Sequence, residues 1–202
     1  MRVGFQIKNP QIFLILSVLA IGLVVAFASK FSDYTVNYNA SSEILEGKSL
    51  ETKFAVLSRA TSNNCGLQQT LVKTWDDDLR LQGSCCSPMS MHKYQEQIEG
   101  LKKYSYISEV PQDPYDISVA QAKQLFEFKN TISLTSEQEE IYNDAMKMSE
   151  EGGPCCCKCW HWDAYEGLAK YLIVNYGFNS EQIAEVWDLS DACGGEGHNN
   201  HT

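Results

Sequence analysis

Apolar side chains recur along most of this chain at intervals of three and four, the spacing of one face of an α-helix. From Glu43 to Leu81 the set is Leu50, Phe54, Leu57, Ala60, Leu67, Leu71, Trp75 and Leu79. Carried through the polar Ser62-Asn63-Asn64, that phase puts Cys65 near the apolar face. A break at Asn63–Gly66 would instead give two helices with Cys65 at a terminus. Ser87 followed by Pro88 reads as an N-cap and first helical residue, opening a helix that runs through His92, Tyr94 and Ile98 to Lys103. Ser118 with Gln121 and Thr135 with Gln138 are capping-box signals for two further helices, the second ending near Met148. Gly153 and Pro154 read as the start of the next helix, whose stripe is Tyr165, Leu168, Ala169, Leu172 and Tyr176. Gly177 supplies its left-handed C-terminal residue. Asn179 with Gln182 caps a last helix that buries Ile183, Val186 and Trp187. No run of strand alternation stands out. The expected fold is all-α, a bundle-like domain of five to six helices over residues 44–193.

The N-terminal pattern is different. Ile12 to Ala28 is apolar or small and uncharged, with Arg2 and Lys8 before it. This predicts a signal peptide or signal anchor over residues 1–28, followed by a polar linker over 29–43. The run is shorter than the ~20 residues of a spanning helix, and Ala26-Phe27-Ala28 fits a cleavage site. A cleaved leader and a retained membrane anchor are both open. Either way the charge bias sends the remainder out of the cytoplasm, secreted or anchored to the membrane. Asn39-Ala40-Ser41 and Asn200-His201-Thr202 match the glycosylation pattern. The formal charge of −10 argues against a nucleic-acid partner; solubility accounts for it. Residues 194–202 form a Gly/His tail that includes His198 and His201.

All eight cysteines follow the leader, where disulfides are permitted. Four of them lie in Pro154-Cys155-Cys156-Cys157-Lys158-Cys159-Trp160-His161. Thiolates are nucleophiles and soft-metal ligands. Adjacent Cα atoms lie about 3.8 Å apart, whereas a relaxed disulfide wants roughly 4.4–6.8 Å. Cys155–Cys156 and Cys156–Cys157 are therefore poor pairs. Each thiol needs a metal, a distant cysteine, or a free state. Cys65, Cys85, Cys86 and Cys193 are the distant cysteines, and sequence cannot choose a connectivity. If residues 154–162 are helical, Cys155 and Cys159 share one face, while Cys157 and His161 share nearly the opposite one. If they form a loop, Cys155, Cys157 and Cys159 can close around one ion. Cys85 and Cys86 precede a predicted helix start, which lowers a thiol pKa. Met89 and His92 follow, and Met, Cys and His suit Cu(I). The candidate metal ligands are thus Cys65, Cys85, Cys86, Met89, Cys155, Cys156, Cys157, Cys159, His161 and Cys193.

Several motifs are absent. Haem attachment would need His at the position of Trp160, and zinc-finger spacing fails. Gly152-Gly153 lacks the Lys-Ser/Thr of a phosphate loop. Pro154, Cys155, Cys157 and Cys159 resemble the Pro-Cys-Tyr-Cys-Gly-Cys motif of exported bacterial proteins of that name. Cys156 and Lys158 stand where that family has its aromatic residue and glycine. The resemblance implies a thiol-rich site outside the cytoplasm and nothing about turnover.

Three functions fit these observations. One is an extracytoplasmic soft-metal protein, with copper favoured and zinc the alternative ion. The second is a disulfide-stapled helical domain that binds another exported protein. The third is a thiol–disulfide or metal-dependent enzyme; the sequence leaves enzyme status undecided.

Overall fold

The computed structural model describes Leu45 and residues 47–195. The segments expected to be a leader and a linker, both glycosylation patterns, His198 and His201 lie outside the described residues. Among those described, the elements are α1 (Leu50–Leu57), α2 (Gln69–Val72), β1 (Arg80–Gln82), α3 (Met91–Leu101), a 3-10 turn (Lys102–Tyr104), β2 (Asp116–Ser118), α4 (Val119–Thr131), α5 (Ser136–Met148), α6 (Trp160–Tyr176) and α7 (Ser180–Ser190). The helical class holds, with seven helices rather than five or six and one two-stranded antiparallel sheet. No described helix is long and apolar enough to cross a membrane.

Local chemistry explains most of these boundaries. The Ser118 hydroxyl accepts from the Gln121 amide, and full capping boxes form at Thr135/Gln138 and Asn179/Gln182. Gly177 ends α6 at φ +65°, a left-handed conformation that side chains resist. Helix α4 packs along α6, and α5 along α7. The main core between them holds Leu125, Phe126, Trp160, Tyr165, Leu172 and Trp187, all nearly free of solvent. A smaller core joins Leu57, Met89, Tyr94 and Tyr115.

Three expected elements differ. The stretch from Glu43 to Leu81 is not one long helix. It breaks around Asn63–Gly66, as in the alternative reading, with α1 before the break and the single turn α2 after it, and its last residues enter strand β1 where no strand was expected. Polar side chains redirect the backbone here: the Asn63 amide donates to the Gly83 carbonyl at 2.9 Å, and Asn64 Oδ1 accepts from the Gly66 amide at 3.1 Å. Asn side chains of this kind compete with helical hydrogen bonds. Leu71, assigned to the apolar face, is 52% exposed. Strand β1 pairs Leu81 with Ile117 and Gln82 with Asp116.

Second, helix α3 starts at Met91 after Ser90, not at Pro88. The Cys85–Pro88 backbone is taken by the chain end. Cys85 N–H donates to Ala192 O, Ser87 N–H to Cys193 O, and Gly195 N–H to Pro88 O, each at 2.8 Å. Cys85 and Cys86 therefore do not sit at a helix N-terminus. Third, Pro154 does not open a helix. Residues 154–159 form an irregular loop, and α6 begins at Trp160 with Cys159 as N-cap. Gly152 and Gly153, both at positive φ, turn the chain into that loop.

Candidate metal centre

Four chain segments carry the cysteines, and backbone hydrogen bonds tie them together. Cys65 N–H donates to Cys85 O at 3.1 Å. Cys85 and Ser87 pair with Ala192 and Cys193, as above. Trp160 N–H donates to Leu67 O at 2.9 Å, bringing the end of the 154–159 loop to the segment that holds Cys65. Gly194, at φ +78°, lets the chain end lie against Ser87; a Cβ there would stand 2.1 Å from the Ser87 carbonyl oxygen. Trp160 reinforces this arrangement. Its indole N–H donates to Asn63 Oδ1 at 2.8 Å inside the protein.

The result is a convergence of sulfur. Cys193 Sγ lies 3.3 Å from Cys155 Sγ, 2.8 Å from Cys156 Sγ and 3.6 Å from Cys85 Sγ. Cys86 Sγ is 3.5 Å from both Cys85 Sγ and Cys156 Sγ. Cys155 and Cys157 are 3.9 Å apart. Cys65 and Cys86 form a disulfide with a Cα–Cα separation of 5.9 Å, inside the relaxed range. The other six cysteines are free. Four sets have all their sulfurs within 4.8 Å of one another: Cys65/Cys85/Cys86/Cys157, Cys85/Cys155/Cys193, Cys86/Cys156/Cys193 and Cys155/Cys156/Cys157. The Cys85/Cys155/Cys193 set is wholly buried, whereas Cys86 and Cys156 are exposed. The site therefore runs from solvent into the core.

The thiols do not share their protons equally. Hydrogen bonds from Cys155 and Cys85, with help from the nearby His161, hold Cys159 down to about 2. Hydrogen bonds from Cys155, Cys85 and Cys156 hold Cys193 low as well. Cys155 is pushed up because it donates to Cys159 and Cys193. At Cys85 a bond with Cys155 acts downward, and bonds to Cys159 and Cys193 together with burial outweigh it. Burial pushes Cys157 up to about 11, with the Cys159 charge adding to it. Among the free thiols, Cys159 and Cys193 are thus favoured as thiolates over Cys85, Cys155, Cys156 and Cys157.

Seven of the eight cysteines named from the sequence fall in these sets. Cys159, buried at the N-cap of α6, belongs to none of them. The other two candidates stand differently. Met89 is buried in the smaller core, its backbone bridged to Gly195. His161 is fully buried, stacks on Tyr165 at 4.2 Å between ring centres, and belongs to none of the sulfur sets. No hydrogen bond of ordinary geometry reaches either of its ring nitrogens. Burial lowers its pKa, against the pull of Cys159 and Cys193.

Sequence reasoning did not find Asp191. It is buried, pairs with Lys93 at 3.1 Å, and accepts from the Cys193 amide at 3.0 Å. Burial beside Cys193 pushes its carboxyl up to about 7. Its place two residues before Cys193 was the available signal. No family model, curated protein or solved structure matches the chain.

Proposed function

We propose that this protein binds a soft metal ion through its clustered thiolates, with Cu(I) favoured and Zn2+ the alternative. The observation that supports it is the convergence of sulfurs from four segments, with contacts of 2.8 to 3.9 Å between separate side chains. Packed thiolates repel one another, and a shared cation removes that cost while driving off the remaining protons. Cu(I) accepts two or three thiolates and tolerates irregular spacing, which suits the three-sulfur sets. The reading includes export by residues 1–28 and a role outside the cytoplasm, with the metal ion as first partner and an exported protein as a candidate second.

Cu(I) titration of the reduced chain against a competing chelator tests the reading. Cys157→Ser and Cys159→Ser should each lower bound copper sharply, and the double variant should lose tight binding. A double variant that holds copper as firmly as the parent removes the reading. The Cys65–Cys86 disulfide favours a second one, thiol–disulfide exchange, because free thiols stand beside Cys86. That reading expects a dithiol-oxidising or disulfide-reducing turnover that survives metal chelation. A purely stapled domain expects the serine changes to lower Tm with no change in metal content.

A further inference from the structure

The set Cys65/Cys85/Cys86/Cys157 is the one with four sulfurs, and it contains both halves of the disulfide. Sulfur in a disulfide is no thiolate, and the thiolate is the ligand. With the bond closed, this set offers only Cys85 and Cys157. The four sulfurs lie within 4.8 Å of one another with the bond closed. Opening it turns Cys65 and Cys86 into thiols beside Cys85 and Cys157, four in all, the number that Zn2+ takes in a closed tetrahedral site. The buried set Cys85/Cys155/Cys193 includes neither half of the disulfide. It stays intact in either redox form.

Access to the bond is one-sided. Cys86 is exposed, while Cys65 is partly covered and its sulfur lies 3.0 Å from the Cys85 carbonyl oxygen. A small dithiol can reach Cys86 from solvent. We propose that the Cys65–Cys86 disulfide is a redox gate on a second ion site. Closed, the protein holds an ion only at the sets that lack Cys65 and Cys86, which are Cys85/Cys155/Cys193 and Cys155/Cys156/Cys157 and share Cys155. Open, it holds another at Cys65, Cys85, Cys86 and Cys157, with the Cys85 sulfur bridging to the buried set. The gate rests on the soft-metal reading above.

The opening step is ordinary exchange. A thiolate of the dithiol attacks Cys86 Sγ, the S–S bond breaks, and its electron pair goes to Cys65 Sγ, which takes a proton. The second thiol of the reagent then displaces Cys86, which leaves as a thiol, and the reagent departs as a cyclic disulfide. Two electrons and two protons pass from reagent to protein. Zn2+ then replaces the thiol protons, which are released to solvent.

Zinc bound per chain is measured on the full chain in two states. One is purified with its disulfide; the other is reduced with a dithiol, stripped of reagent and handled without oxygen. Zn2+ is the probe because it has no redox chemistry and leaves the disulfide as it finds it. The reduced state should bind about one more zinc ion than the disulfide state. Cys157→Ser keeps the disulfide and should lose the reduction-dependent ion. Cys65→Ser cannot close the gate and should bind the same amount with and without dithiol treatment. Equal zinc in the two states of the parent chain, including none in either, overturns the gate. A redox-dependent difference that persists in Cys65→Ser overturns it too. The soft-metal reading stands or falls separately, on Cu(I) titration of the reduced chain.

Discussion

Single side chains decide how firmly the cysteine segments are held. Trp160 follows the cysteine loop directly, and its indole reaches Asn63, whose amide in turn donates to the Gly83 carbonyl. Trp160→Phe keeps the bulk but leaves Asn63 Oδ1 buried without its donor. The expected loss is about 1–3 kcal/mol, read as a lower urea midpoint, and copper affinity should fall with it; an unchanged midpoint would refute the bridging role. Asp188 supplies a pH dependence of a different kind. Its carboxylate accepts from the Glu150 amide at 2.9 Å, and burial pushes its pKa up to about 6. An unfolded aspartate titrates near 3.9, so the folded state favours the protonated form. The stability this residue contributes is full below about pH 4 and is lost as pH rises through 6. Asp188→Asn keeps an acceptor oxygen for Glu150 without the charge. It should match the parent at pH 4 and be more stable at pH 7 by about 1 kcal/mol, discounted because the site is only half buried. A variant weaker than the parent at pH 7 would show that the charge is useful in place.

At the scale of elements, the α4–α6 contact is the least forgiving. Gly167 lies where the two helices cross, and a Cβ there would stand 1.9 Å from the Leu125 carbonyl oxygen. Backbone cannot yield as a side-chain tip can. Gly167→Ala should cost about 3 kcal/mol, seen as a drop in urea midpoint with the helical spectrum retained; a neutral result would mean that the helices separate freely. The later helices were legible because each carries its own stop and start. Thr135/Gln138, Asn179/Gln182 and Gly177 act within a few residues of themselves. The region before α3 was not legible. Its apolar period continues across residues whose side chains bind distant backbone, as Asn63 does with Gly83. Strand β1 has three residues, of which Leu81 is the one apolar side chain, too little for alternation to register.

For the molecule as a whole, the proposed metal binding would tie affinity to acidity. Cys157 is held up to about 11 and Cys155 is raised further, so both bring protons that an ion must displace. Apparent Cu(I) affinity should therefore weaken steadily as pH is lowered from 8 to 5. A flat profile would mean that the ion meets only sulfurs already ionised. The cysteine types and the loop alternative for residues 154–159 could be read from the chain. Which sulfurs meet could not, because the pairing of Cys85–Ser87 with Ala192–Cys193 depends on backbone contacts invisible to local pattern. That seam also orders events in time. Cys65 and Cys86 are 21 residues apart, whereas Cys85 and Cys193 are separated by 108. A chain made from its N-terminus exposes the first three cysteines long before the last exists, and short loops close at lower entropic cost than long ones. The disulfide can form on a half-made chain, while the buried thiol set is completed only when the final described residues arrive. A chain ending before Cys193 would fold its capped helices and still lack the sulfur on which the centre converges.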